Sequence, residues 1–385
     1  MSSIDIYIML WLCANIYPGI ENNPKRDRIV ISHGHTAAAV YAVLGNIGYF
    51  NIEDAVKNFR RDGSPFEGHP NTEVPGVEWC SGSLGQGLSV GCGFAVAAKI
   101  TGKNYHVFVV MGDGEQAKGQ FQEAREFAVK FGLGNLTAII DFNNLQASGK
   151  IENIMPQNIP GKYESSGWRV LSIDGHDYQQ IFQALRTCYL RKDVPTLIIA
   201  KTVMGKGISF VENNHEYHGK VLDSKQYECA LKELGFDNTT QDVSLYADSI
   251  DMHEISRLIP GAERLKLEET PKEEPVEYKV NPGNPLIYEA GSMVDCRTAF
   301  GEALYDIALQ NSERNSVHMV AIDCDLVESV KLKKFAQKFP ERLVECGIQE
   351  HNGVTLAGAL SKSGVLTFVA DFGVFGLDEV YGQLR

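Results

Sequence analysis

The chain has 385 residues, 44% hydrophobic and 22% charged, the balance of a folded soluble protein with room for two to three domains of roughly 150 residues each. Its formal charge of −13 argues against wrapping nucleic acid or lying on an anionic membrane, because either needs a basic face to displace counterions. Any phosphorylated ligand must therefore be met by local, focused positive groups.

The N-terminal run IDIYIMLWLCA is apolar but far shorter than the ~20 residues of a membrane span, and no basic segment precedes it, so a buried helix is expected. From residue 80 to about 210, helical periods alternate with short β-branched runs, the signature of βαβ units around a parallel sheet. VFVVM, LTAIIDF, WRVLSID and TLIIAKT read as buried strands. Between the first two lies GQFQEAREFAVKF, where Phe121, Ala124, Ala128 and Phe131 share one helical face and Gly132 is placed for a left-handed cap. Residues 256–290 shift to charge and proline, as in ERLKLEETPKEEPVEYKVNPGNP, and read as a linker. A second α/β segment follows, with TAFGEALYDIAL helical and HMVAIDCD and VLTFVAD as strands. The expected fold is α/β, parallel sheets flanked by helices, divided into residues 1–255, a linker at 256–290, and residues 291–385. The eight cysteines are scattered, with no CxxC pair and no zinc-type spacing, which points to reduced thiols in a cytoplasmic protein.

Ligands of open parallel sheets bind beyond the carboxyl ends of strands, where HVFVVMGDGEQ and IIDFNN each break into a polar loop. Gly112 and Gly114 let backbone approach a bulky anion, Asp113 offers a carboxylate, and Asn143, thirty residues on, offers an amide oxygen. With a backbone carbonyl such as that of Leu145 and two phosphate oxygens of a ligand, this is a donor set that suits Mg²⁺. Either motif alone is also an ordinary tight turn; the spacing across one βαβ unit favours a joint metal-diphosphate site. GSLGQG at 82–87 opens an apolar helix and can aim free N–H groups at phosphate, or serve only to pack that helix closely.

Motifs in order along the chain carry a family resemblance: RDRIVISHGHTAAAVYAVLGNIGYF, GSPFEGHP, PGVEWCSGSLGQGLSVGCGFAVAAK, GDGEQ with NNLQ, IDGHD, PTLIIAKTVMGKGISFVENN, YHGK and CGIQEH. From about residue 25 to about 375 the sequence resembles transketolase, a thiamine diphosphate-dependent enzyme. The resemblance implies thiamine diphosphate and Mg²⁺ (or Ca²⁺ or Mn²⁺), the metal held by Asp113, Asn143 and the Leu145 carbonyl, with Gly114 against the diphosphate. It places Gly82, Ser83 and Leu84 along the cofactor, His35 and His218 against cofactor and substrate, and His69 in the substrate channel. Glu350 would share a proton with the pyrimidine N1′, a role that suits a glutamate in a mostly apolar pocket. Read without the resemblance, Glu350 is simply an acidic residue opening a helix.

Of Phe368, Phe372 and Phe375, core aromatics by composition, Phe372 is the choice to stack on the pyrimidine. Arg297 and Ser329 match positions that bind the sugar phosphate, and Asp325, with Leu326, a segment facing the cofactor ring. The implied reaction moves a two-carbon glycolaldehyde unit from a ketose phosphate to an aldose phosphate through the thiamine ylide. The implied assembly is a homodimer whose active sites combine the metal-diphosphate domain of one chain with the Glu350-bearing domain of the other. The nearest rival, deoxyxylulose phosphate synthase, typically follows its glutamate with Gln-His, whereas Glu350 is followed directly by His351. Lys118 stands where many relatives carry an acidic residue of an inter-site carboxylate network. A GHPG segment expected before the matched region, further substrate contacts and a third domain expected after it are absent. An incomplete thiamine-fold fragment or partner subunit is therefore the reading from another class.

Overall fold

The computed structural model describes residues 2–236, 265, 270, 279–312 and 317–385. The apolar start of the chain forms α1 (Ile4–Cys13), with Ile6, Tyr7, Leu10, Trp11 and Cys13 buried, as expected of a core helix. No helix among the described residues is long and apolar enough to cross a membrane. Next come β1 (Arg28–Ile31), α2 (Ala37–Asn46), α3 (Ile52–Asn58), α4 (Gly87–Ile100), β2 (Val107–Gly112), α5 (Gln120–Lys130) and β3 (Leu136–Phe142). A small hairpin of β4 (Leu145–Gln146) and β5 (Gly149–Lys150) leads to α6 (Ile151–Ile154), α7 (Ile159–Ser165), β6 (Arg169–Asp174), α8 (Tyr178–Leu190), β7 (Thr196–Lys201) and α9 (Ser224–Glu233). The second segment holds α10 (Cys296–Gln310), β8 (Met319–Asp323), α11 (Lys333–Lys338), β9 (Leu343–Glu345), α12 (Glu350–Lys362), β10 (Leu366–Ala370) and α13 (Tyr381–Leu384). Gly132 takes φ +56° just past α5, the left-handed conformation its position implied.

The first sheet runs β1-β2-β3-β7-β6 with every pair parallel. β1, β2, β3 and β7 are buried along almost their whole length because helices cover both faces. The expectation that WRVLSID would be buried too is corrected: β6 residues range from half-buried to exposed at one edge of the sheet, whereas β1 at the other edge is covered. Parallel pairing sends all strand carboxyl ends to one edge, so Ser32, Asp113, Asn143 and Thr202 emerge together. A second parallel sheet runs β10-β8-β9.

Helix α4 joins the two sheets. It is buried from Gly87 through Ala98, and its GCG segment serves two neighbours. A Cβ at Gly91 would lie 2.3 Å from Val109 Cγ2 in the first sheet, whereas one at Gly93 would lie 2.5 Å from the Leu356 carbonyl oxygen of α12. One hydrophobic core accordingly runs through both, from Phe94 and Val109 to Ile322 and Leu360. Most of the expected linker lies outside the described residues; within it, the Leu265 N–H donates to Asn15 Oδ1 at 3.3 Å, and residues 279–290 carry neither helix nor strand. All eight cysteines are free thiols.

Gly93→Ala drives a methyl into the backbone of α12, and overpacking of this kind costs about 1–3 kcal/mol. Urea unfolding should show that loss; an unchanged midpoint would mean the α4–α12 contact is looser than described.

Candidate functional site

A cavity of about 550 Å³ opens at the carboxyl edge of the first sheet, between the loops that follow β1, β2, β3 and β7. Asp113, directly after β2, is buried at 2% exposure, and its Oδ2 accepts the Asn144 N–H at 2.6 Å. Burial above all, and the neighbouring Asp141 carboxylate, push its pKa up to about 7 against the pull of backbone N–H groups of Asn144, Gly114 and Asn143. Asn144 sits at φ +62°, a conformation asparagine tolerates, which bends the chain so that Asn143 and Leu145 both line the cavity. Asn143 Oδ1 accepts the Leu145 N–H at 2.9 Å and so fixes this bend. A Cβ at Gly114 would come within 2.9 Å of Gln146 Cγ, whereas one at Gly112 would make only ordinary contact, 3.6 Å from His33 Cβ.

The cavity wall also holds residues the sequence reading missed. Asp141, the penultimate residue of β3, accepts hydrogen bonds from Ser2 (2.6 Å), Ser3 (2.5 Å) and Thr202. His33 is buried, its Nδ1–H donates to the Val110 carbonyl at 3.2 Å, and its Nε2 lies 3.2 Å from Ser3 Oγ. An acidic residue inside the β-branched run LTAIIDF was the available signal for Asp141; nothing in the sequence marked Ser2, Ser3 or His33.

Two expected histidines meet here: the rings of His35 and His218 are 5.1 Å apart, and His33 lies 5.7 Å from His35. His35 opens into the cavity, yet the protein around it, with His33, His218 and His69 nearby, pushes its pKa down to about 4. Burial lowers His218 as well. Both therefore face a ligand as neutral imidazoles. His69 stands behind, near enough for a Cβ at Gly34 to touch it at 3.2 Å, but outside the cavity lining.

The glycine-rich loop differs from expectation. Of Gly82, Ser83 and Leu84, only Leu84 lines the cavity. The Gly85 N–H, expected to be free for phosphate, donates instead to Glu115 Oε2 at 2.9 Å. Glu115 is buried and also accepts from the Ser32 hydroxyl at 2.8 Å and the Gly112 N–H at 2.9 Å, so one carboxylate pins two strand ends and the loop before α4 together. Lys118 lies against the same loop, its Cβ 2.7 Å from where a Cβ of Gly85 would be.

The remaining expected residues gather at the second sheet, and none lines this cavity. Glu350 is the first residue of α12 and half-buried. Glu123 and Gln120 of α5 secure that helix start: Glu123 Oε2 accepts the Asn352 N–H at 2.9 Å, and Gln120 Nε2 donates to Thr355 Oγ1 at 2.9 Å. Arg297 and Ser329 are adjacent, with Arg297 Nη1 3.3 Å from the Ser329 carbonyl oxygen that accepts from it. Asp325 is exposed at φ +64°, and the half-buried Phe372 ring lies 6.2 Å from Phe375.

Residues 1–264 match the family described as transketolase, thiamine diphosphate binding domain. The chain belongs to the transketolase family. It is 31% identical to human transketolase over 388 residues, covering all of this chain and 58% of the human protein, and so spans little more than half the length of that relative. It is 39% identical over 238 residues to one of the subunits of the apulose-4-phosphate transketolase of Phocaeicola vulgatus, a match that covers 61% of this chain and 84% of that one. The crystal structure of Campylobacter jejuni transketolase superimposes with a TM-score of 0.83 at 29% identity, covering 98% of this chain and 61% of the other. A family that binds thiamine diphosphate fits the cavity's lining: the buried carboxylate of Asp113, with Asn143 and Leu145 beside it. Among the described residues no three His, Cys, Asp or Glu side chains converge to hold a metal unaided, so a cation here would need ligand oxygens to complete its shell.

Glu115→Ala leaves three donors without a partner, at about 1–3 kcal/mol for each that stays buried, so urea unfolding should register a loss of ~3 kcal/mol or more. NMR should find the His35 ring neutral well below the ordinary histidine range, down to about pH 4; protonation near 6.5 would contradict the environment described.

Proposed function

We propose that this chain is a transketolase, moving a two-carbon glycolaldehyde unit from a ketose phosphate to an aldose phosphate. The observation that carries this reading is the buried Asp113 beside Asn143 and Leu145, at adjacent strand ends of a family that binds thiamine diphosphate. Asp113, Asn143 and the Leu145 carbonyl would hold Mg²⁺, a counter-charge for the diphosphate, which Gly114 would let approach the backbone. Thiamine diphosphate, when bound, supplies a carbon acid whose conjugate base attacks a ketose carbonyl. Leu84 would line its pocket, with Gly82 and Ser83 next to it in the same loop. His35 and His218, kept neutral, accept and return protons at the hydroxyl groups of the substrate, and His69 guards the approach. Eight free thiols support a cytoplasmic setting.

The residues at the second sheet act in the cavity of a second copy. α12 is packed on α4, so Glu350 stays outside the cavity of its own chain, and a homodimer with shared sites brings it to a pyrimidine held by the partner. There Glu350 would hold a proton at N1′, Phe372 would stack on the ring, Asp325 would face it, and Arg297 with Ser329 would receive the sugar phosphate. A second reading, a polypeptide that binds cofactor but needs another chain for turnover, is favoured by its match to one subunit of a multi-chain transketolase.

A coupled assay with xylulose 5-phosphate and ribose 5-phosphate, with and without thiamine diphosphate and Mg²⁺, separates these. Cofactor-dependent turnover supports the first reading, binding without turnover the second, and no binding rejects both. Glu350→Gln should keep cofactor affinity while slowing hydrogen exchange at the thiazolium C2 by at least ~100-fold, the usual scale of one acid–base group; an unchanged rate removes Glu350 from the role.

A further inference from the structure

Strands β8 and β9 end side by side, with Asp323 in register with Glu345. Asp323 is fully buried, and its Oδ2 accepts the Leu326 N–H at 2.8 Å. Glu345 Oε1 accepts two backbone donors, the Asp325 N–H at 3.0 Å and the Gly347 N–H at 2.7 Å. The other oxygen of Asp323, Oδ1, receives no N–H or hydroxyl from the described residues, while its register neighbour Glu345 brings a second carboxyl beside it, near enough to raise its pKa. Two carboxyl groups can bond to each other only if one carries a proton, because an ionised carboxylate is acceptor-only.

We infer that Asp323 and Glu345 share one proton and together act as a positioning clamp, setting the Asp325–Leu326 segment against the loop that leads through Gly347 into Glu350. The positioning half of this rests on the functional reading given above; the shared proton does not. Through Glu345 the pair fixes the backbone on both sides: Asp325 is held in its left-handed conformation, and the turn at Gly347 is closed just ahead of Glu350. The charged and titratable groups facing the pair are few. Lys130 of α5 donates to the Glu345 carbonyl at 2.6 Å, Asp325 follows on the exposed side, and the buried thiols of Cys324 and Cys346 lie beneath, against Gly353 of α12.

Burial, then the Glu345 carboxyl, push the pKa of Asp323 from 3.8 up to about 7. The folded protein thus keeps a proton that the unfolded chain has already released. Its stabilising effect is complete below 3.8 and is lost as pH rises to about 7, where the proton passes to solvent and two negative charges face each other.

Asp323→Asn supplies an amide N–H to Glu345 in place of the proton and cannot titrate. The ratio of folding constants, wild type over D323N, should fall by about tenfold per pH unit between these limits and level off above about 7. Contributions of titrating groups away from the pair cancel in the ratio. Should D323N fail to fold, Glu345→Gln, which offers its amide to Asp323 from the other side, serves in the same comparison. In protein loaded with thiamine diphosphate and Mg²⁺, C2 hydrogen exchange of the wild type should decline relative to D323N above about pH 7, while Asp323→Ala should be slow throughout. A pH-independent stability ratio overturns the shared proton, whatever the exchange shows. A titrating ratio with equal exchange in all three proteins overturns the positioning role alone. A wild type without exchange sinks the functional reading and the positioning role with it.

Discussion

Two carboxylates placed side by side at the end of a parallel sheet set the terms for the rest of the structure. The register pairs Gly112 with Asp141, so Asp113, one step beyond, is brought against Asp141 wherever these two strands are hydrogen-bonded. In a protein interior such a pair is costly unless each member is solvated by donors. The fold draws those donors from distant parts of the chain. Ser2 and Ser3 come from the start of α1 and Thr202 from the end of β7, all onto Asp141, and backbone N–H groups of the Asn143–Asn144 bend turn to Asp113. α1 itself is held in place by Asp5, which receives His176 at 2.7 Å and the Tyr178 hydroxyl at 2.7 Å from the IDGHD loop. Among the described residues no cationic side chain forms an ion pair with Asp113, and on the proposed reading a divalent cation supplies that positive charge.

The second constraint is helix α4. Its glycines are spaced so that one faces the first sheet and another faces α12, and both approaches are too close for a side chain. The loop that contributes Leu84 and the helix that begins at Glu350 are thereby fixed to one another through a single buried rod. Glu123 and Gln120, on the helix that follows the Asp113 loop, tie the start of α12 to the same frame. Packing of this kind holds Glu350 apart from the cavity of its own chain, and on the proposed reading a second copy brings the two together.

The sequence revealed the parts of this arrangement whose signals are local. Buried strands announce themselves as short β-branched runs, and GDG and NN mark where the backbone leaves them, so β2, β3, Asp113 and Asn143 were all legible, as was the left-handed Gly132. Contacts between residues far apart in the chain were not. Glu115 stands in plain view within GDGEQ, yet its three partners, Ser32, Gly85 and Gly112, include two reached only through the fold. The Gly85 N–H looked available for phosphate because nothing local claims it. WRVLSID looked like an interior strand because apolar content cannot tell an edge from a centre. GCG gave no hint that its two glycines face different surfaces, one of them α12.

The two carboxyl pairs show how the molecule handles the same electrostatic difficulty in two ways. At Asp113 and Asp141 the groups accept from separate sets of donors, so crowding between them persists, and a cation can relieve it. At Asp323 and Glu345 the groups face each other directly and Asp323 Oδ1 has no other donor, so a proton, far smaller than any metal ion, bridges them. The first solution leaves a cavity open to a ligand, and the second closes the gap and stiffens the backbone on either side. A binding edge gains from the former, because relief of repulsion adds to ligand affinity. A segment that must present Asp325 and Glu350 in fixed relation gains from the latter, because a bonded pair buried between adjacent strands has little freedom to move.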